Sequence, residues 1–138
     1  MENQELIRLV LDFAGEMNDL QNIFYPQIRQ KDADKKQVFQ QYRTQADQIY
    51  ARYLTQRKRS CYYGISCPPF FGGVTAGAQF TVEENKNRRV VEVLTRDGGL
   101  DFRFSLVCRG GQWLIDGFKQ RYRSWDRSRV DQWQYGNF

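Results

Sequence analysis

The sequence predicts an α+β fold in which N-terminal helices pack on a curved antiparallel sheet. Three observations predict it. In the first third of the chain apolar residues recur every three or four positions, the spacing of amphipathic helices. From Ala78 onward the apolar period falls to two, as in strands with one face on a core. The stretch Leu100 to Phe118, LDFRFSLVCRGGQWLIDGF, reads as a long β-hairpin whose apolar face the rest of the chain must cover.

The first helix is expected over residues 2 to about 30. Leu6, Val10, Phe13, Met17, Leu20 and Phe24 form one apolar stripe, and Glu5, Arg8, Asp12, Glu16 and Asp19 fall on the other face. Gly15 costs about 1 kcal/mol relative to Ala, and Pro26 is expected to end or kink the helix. The heptad-like spacing lasts only about three heptads, so packing on a sheet is favoured over a coiled coil.

A second helix is expected from about Asp34 to Arg59. Asp32 or Asp34 can cap its first turn, and Arg57, Lys58 and Arg59 would meet the negative end of its dipole. Val38, Tyr42, Ile49, Tyr50 and Tyr53 mark its buried face. A face so rich in tyrosine can line a cavity as well as a core, because each ring is apolar and each hydroxyl seeks a partner.

Residues 60 to 77, SCYYGISCPPFFGGVTAG, form a connection that glycines and the Pro68-Pro69 pair keep irregular. Tyr62, Tyr63 and Ile65 allow a brief strand there, and Phe70-Phe71 before Gly72-Gly73 a turn. These rings either plug the underside of the sheet or present an aromatic surface to a partner.

Strands follow from 78 to 122. Gln79 to Glu84 puts Phe80 and Val82 on one face, a turn follows at Glu84 to Asn87, and Arg88 to Arg96 turns Val91 and Val93 inward. Asp97-Gly98-Gly99 makes the next turn. In the hairpin, Phe102, Phe104, Leu106 and Cys108 alternate with Arg103, Ser105, Val107 and Arg109, and Gly110-Gly111 supplies the positive φ of a tight turn. Trp113 and Ile115 repeat the spacing on the return arm. Ile115 and Phe118 both suit the core but stand three apart, so Gly117 is expected to mark a bulge. The sum is a four-stranded meander.

The tail, 123 to 138, continues a basic and aromatic stretch. Arg121, Arg123, Arg127 and Arg129 interleave with Tyr122, Trp125, Trp133 and Tyr135. Such interleaving can bind single-stranded nucleic acid, but no RNA-binding motif accompanies it and Asp126 and Asp131 dilute its charge. A short terminal helix over the sheet edge is the plainer expectation, with no nucleic-acid partner.

Composition narrows the chemistry. A chain of 138 residues fits one domain with a core that needs no disulfide staples. Cys61, Cys67 and Cys108 form no C-x-x-C pair and there is no histidine, which argues against a zinc site and removes His-based acid/base chemistry. No metal, cofactor or catalytic residue is expected. The start MENQELIRLV is acidic where a signal peptide is basic, and no apolar run reaches membrane-spanning length, so a cytoplasmic protein without a membrane partner is expected. The net charge of +5 is uneven. Residues 1 to 34 hold seven acids and three bases, about −4, leaving about +9 on the remainder.

Helices followed by a curved antiparallel sheet, with W-x-I-D in the last long strand, resemble the cone-shaped fold of the nuclear transport factor 2-like superfamily. Within it the chain looks most like bacterial immunity proteins paired with Rhs-type polymorphic toxins. The residues that carry this resemblance are Tyr62-Tyr63-Gly64, Pro68-Pro69-Phe70-Phe71, Leu100 to Phe104, and Gly111-Gln112-Trp113-Leu114-Ile115-Asp116 with Phe118 and Lys119. The resemblance implies an antitoxin that binds and blocks a cognate toxin domain.

Such a binder needs a rigid scaffold and a surface with aromatic and arginine anchors. Candidates are Tyr62, Tyr63, Phe70, Phe71, Arg103, Arg109, Lys119, Arg121, Arg123 and Trp125. A basic inhibitor is steered poorly toward a basic toxin, so an acidic contact face is expected on the partner. Since the same fold hosts ketosteroid isomerase-like and cyclase-like pocket enzymes, an alternative is Asp116 as base with Tyr42, Tyr50 or Tyr53 as donor.

Overall fold

The computed structural model describes residues 2–96 and 98–138. Helices α1 (Glu2–Arg29) and α2 (Lys35–Tyr53) come first, followed by a 3-10 turn at Gly72–Thr75. Strands β1 (Gln79–Asn85), β2 (Arg88–Leu94), β3 (Gly99–Arg109), β4 (Gln112–Arg123) and β5 (Gln134–Tyr135) then form one antiparallel sheet in chain order. No helix among the described residues is long and apolar enough to cross a membrane.

The predicted stripe on α1 is the buried one, from Leu6 through Phe24. Pro26 does not end the helix, which continues to Arg29. The packed stripe outweighs the single hydrogen bond that proline removes from the last turn. Asp34 caps α2, its carboxylate accepting the Gln37 N–H at 3.2 Å.

The end of α2 departs from expectation. Leu54 is extended and the Thr55 N–H donates to the Ile115 carbonyl at 2.9 Å, so the chain leaves the helix at Tyr53 to pair briefly with β4. Arg57, Lys58 and Arg59 therefore lie past the helix and not in its last turn. The connection holds no strand at Tyr62 to Ile65. Tyr63 takes a left-handed φ of 55°, and the N–H groups of Tyr62 and Tyr63 both donate to the Phe138 carbonyl.

The concave side of the sheet faces the helices. Phe102, Phe104, Leu106, Ile115 and Phe118 pack there with Val91 and Val93 against Val10, Phe13 and Met17 of α1. Phe71 plugs this core, its ring centroid 5.3 Å from Phe102 and 5.6 Å from Phe118. Each such fully buried ring contributes about 2–3 kcal/mol of transfer free energy. Cys108, expected on the core face, is exposed because it stands at the hairpin tip beyond the core. Trp113 is half-buried, with the Arg89 guanidinium 5.3 Å from its ring.

The bulge falls where Ile115 and Phe118 demanded one. Ser105 pairs with Gly117 and Leu106 with Ile115, which leaves Asp116 as the extra residue of β4. Gly110 and Gly111 close the hairpin at φ 59° and 81°. Of the expected Asp97-Gly98-Gly99 turn, Asp97 lies outside the described residues.

The tail is not a helix, and the sheet has five strands instead of four. After a turn at 124–129, Asp131 N–H donates to the Tyr122 carbonyl at 2.9 Å and β5 pairs with β4 through Lys119↔Tyr135 and Gln120↔Gln134. The open edge of β4 offers backbone partners that a helix could not use. Phe138 then returns to the core, 4.8 Å from the Phe118 ring and 5.6 Å from Phe13.

Candidate functional site

The outer face of the sheet carries a groove of about 560 Å³. Its charged lining includes Arg57, Arg88, Arg103 and Lys119, set against Glu83 and Asp116. The bulge is what builds it. As the unpaired residue of β4, Asp116 presents its carboxylate to the groove, where it accepts from Thr55 Oγ1 at 2.8 Å, Arg57 Nε at 3.2 Å and Arg88 Nη1 at 3.1 Å. Its backbone carbonyl accepts from Arg57 Nη2 at 2.8 Å and Arg59 Nη1 at 3.1 Å. Burial pushes the Asp116 carboxyl up, but hydrogen bonds from Thr55 and Arg88 and the charges of Arg57 and Arg88 outweigh it and hold the pKa below the usual carboxylate value. Asp116 is thus a fixed anion that orders arginines around itself.

Beside the groove the tail lays its rings on the same face. The Trp133 ring meets two cations, 4.7 Å from the Arg103 guanidinium and 4.4 Å from that of Arg121. Lys119 Nζ stands 4.9 Å from the Tyr135 ring. Arg103 is also held by Glu92 at 2.8 Å. Cationic side chains fixed on aromatic faces keep their charge at the surface while losing little entropy on binding.

The structure separates the ten predicted contact residues. Arg103, Lys119 and Arg121 share the outer face. Arg109 is exposed at the hairpin tip, and Trp125, 82 % exposed, stands on the turn after β4. Tyr62 is 80 % exposed on the connection. Tyr63 is half-buried, its hydroxyl bonded to Asp47 and its ring 4.7 Å from the Arg43 guanidinium. Phe70 is half-buried against Phe71, 4.8 Å away. Two of the ten are buried. Phe71, only 2 % exposed, takes the plug reading of the connection and fills the concave core, while Arg123, expected at the surface, is only 8 % exposed because it neutralises the buried Asp101.

Arg57, Arg88, Trp133 and Tyr135 were not among the predicted contacts. Trp133 and Tyr135 had a signal, since they alternate in QWQY as strand residues do. Arg57 had none, because a helix through Arg59 would have kept it away from Asp116.

A second, smaller cavity of about 170 Å³ lies on the helix side, lined by Tyr42, Tyr50, Tyr62, Phe70, Phe71 and Phe138 among others. The Tyr42 hydroxyl donates to the Gly64 carbonyl at 3.1 Å, and burial raises the pKa of both Tyr42 and Tyr50. Tyr53 is bonded to Glu16, and burial first and that carboxylate second push its pKa up to about 12. Asp116 lines the outer groove and not this cavity, so the base and donors of the pocket-enzyme alternative do not converge.

Searches against curated proteins and against solved structures return no match. A family model described as NTF2 fold immunity protein matches residues 5–135, a span that holds the core of both helices, every strand and the charged residues of the outer groove. The chain belongs to the NTF2-fold immunity protein family.

Proposed function

We propose that the chain neutralises a Rhs-type toxin domain in the bacterial cytoplasm by binding it through the outer face of the sheet, and that the toxin meets this face with carboxylates. The Rhs-type partner is inferred from the sequence resemblance at Tyr62 to Phe71 and Gly111 to Lys119. The observation that carries the choice of surface is the outer groove, where Arg57 and Arg88 are ordered by Asp116 and stand beside Arg103, Lys119 and the Trp133 ring. Arginines and tryptophan on a rigid sheet are the residue types that anchor interfaces. Pre-ordered cations also raise the association rate for an acidic surface.

Inhibition by occupancy needs no chemistry from the inhibitor. Titration of purified toxin domain with this chain should therefore reach full inhibition at one equivalent, whereas inactivation by far less than one equivalent would point to catalysis and sink the reading. Arg88→Glu with Lys119→Glu should weaken binding at least tenfold and abolish rescue of cells expressing the toxin. Full rescue by that double variant would move the interface to another face.

A further inference from the structure

A separate recess of about 470 Å³ lies where the start of β1 and the end of β2 meet the end of β4 and the loop after it. Four arginines line it, Arg96, Arg121, Arg123 and Arg127, together with Thr95 and Val130. Among the described residues one carboxylate answers them. Asp101, wholly buried, lies 2.9 Å from Arg123 Nε and 3.3 Å from Arg121 Nε. Arg123 spends its Nε and Nη2 groups there, since its Nη2 also donates to the Thr95 carbonyl. Among the described residues, neither Arg96 nor Arg127 has a carboxylate within 4.0 Å. Among the described residues, four guanidiniums against one carboxylate leave an excess of three positive charges in the recess.

Backbone geometry sets where one of these side chains leaves the chain. Arg127 stands at φ 62°, a left-handed conformation that non-glycine residues take at a cost. The turn holds it there, with the Arg127 N–H on the Ser124 carbonyl at 3.0 Å and the Ser128 N–H on the Asp126 carboxylate at 3.0 Å.

We propose that this recess is an oxyanion site for a phosphate-type dianion carried on a small organic molecule. A carboxylate brings one charge and two oxygens, which a single guanidinium fork satisfies. A phosphate monoester brings two charges and three free oxygens, which match Arg96, Arg127 and the N–H groups that Arg121 does not spend on Asp101. The recess far exceeds the ~30 Å³ that one water occupies in the liquid, so it has room for the group bearing the phosphate. It shares no lining residue with the Asp116 groove, and Arg121 is the one member that also touches the Trp133 ring of the toxin face.

The test is calorimetric titration of the full chain with inorganic phosphate and with adenosine monophosphate, at ionic strength held constant with chloride. Saturable binding of one equivalent of the nucleotide is expected, tighter than that of inorganic phosphate. The double variant Arg96→Gln, Arg127→Asn should weaken it at least tenfold, while Arg109→Gln, which removes an exposed arginine at the hairpin tip, should leave it unchanged. Asparagine tolerates the left-handed conformation at 127, and circular dichroism with an unfolding midpoint confirms the fold. Absence of saturable binding, or equal weakening by Arg109→Gln, would overturn the site. Inorganic phosphate binding as tightly as the nucleotide would overturn the organic carrier. Toxin neutralisation should survive the double variant, so this outcome and that of the groove are read separately.

Discussion

The Asp101 carboxylate accepts from Arg123 Nε at 2.9 Å, with the Asp101 side chain 0 % and the Arg123 side chain 9 % exposed. The same carboxylate accepts the Thr95 N–H at 3.0 Å and Arg121 Nε at 3.3 Å, tying the end of β2 and the end of β4 to the start of β3. Burial alone would raise its pKa, but hydrogen bonds from Arg123 and Thr95 and the Arg123 charge outweigh that and hold it below the usual carboxylate value. The Arg123 pKa moves up by the same interaction. Asp101→Ala is expected to cost about 3 kcal/mol in urea unfolding at neutral pH, because it strands a buried guanidinium. With the folded pKa below the unfolded one of about 3.9, the stabilisation is present above pH 4 and is lost as pH falls through the folded pKa. The gap between wild type and Asp101→Ala should therefore narrow on acidification below about pH 4. A gap that is constant with pH would assign the loss to packing alone.

Phe138 closes the core from the far end of the chain. Its ring is 9 % exposed and lies within 6 Å, centroid to centroid, of Phe13, Tyr50 and Phe118. Phe138→Ala is expected to cost about 3 kcal/mol. Gly136 lets the segment cross Phe118 closely, since an added Cβ would stand 2.1 Å from that ring. Gly136→Ala is expected to cost about 1–3 kcal/mol through overpacking. Chemical denaturation of both variants checks this, and an unchanged midpoint for both would show that the tail contributes nothing to the core.

These two sites mark the limit of what the sequence discloses. Periodicity located both helices, the hairpin and the bulge, because Leu6 to Phe24 and Phe102 to Ile115 each repeat a pattern that only one kind of element satisfies. Asp101 reads as an ordinary polar strand residue, and nothing local shows that Thr95 and Arg123 will enclose it. Phe138 and Trp133 owe their positions to the unpaired edge of β4, a tertiary feature that no window of sequence contains. The premature end of α2 has the same origin, since the partner of Thr55 is Ile115, sixty residues on. The outer groove was accordingly half legible. Arg103, Lys119 and Arg121 follow from strand parity, whereas Arg57, Arg88 and the role of Asp116 require the folded chain.

Asp116→Asn tests the ordering of the groove. The carboxylate is 19 % exposed, and its arginine partners Arg57 and Arg88 are 51 % and 46 % exposed, so solvent screening keeps each pair weak. Loss of the charge is expected to cost about 1 kcal/mol in all and less at high salt. The effect on toxin association should be larger than that on stability, because Arg57 and Arg88 lose the anion that orients them. Stopped-flow association rates check this, and an unchanged rate would show that Asp116 serves the fold only.

Trp133 separates the contribution of the ring from that of the charges. The Arg103 and Arg121 guanidiniums lie 4.7 Å and 4.4 Å from its centroid, so the indole holds two cations at a fixed spacing on the outer face. Each contact is worth about 0.5–1 kcal/mol at an exposed site. Trp133→Ala removes both at once and frees two long side chains whose ordering the partner must then supply, about 0.5–1.5 kcal/mol for each. The expected result is at least a tenfold loss of toxin affinity, seen mainly as faster dissociation, with little change in the salt dependence of association because the net charge is unaltered. Trp133→Phe keeps an aromatic face and should recover part of the loss. If Trp133→Ala binds like wild type while Arg88→Glu with Lys119→Glu does not, the charges alone make the interface and the ring is only a cover for the edge of β4.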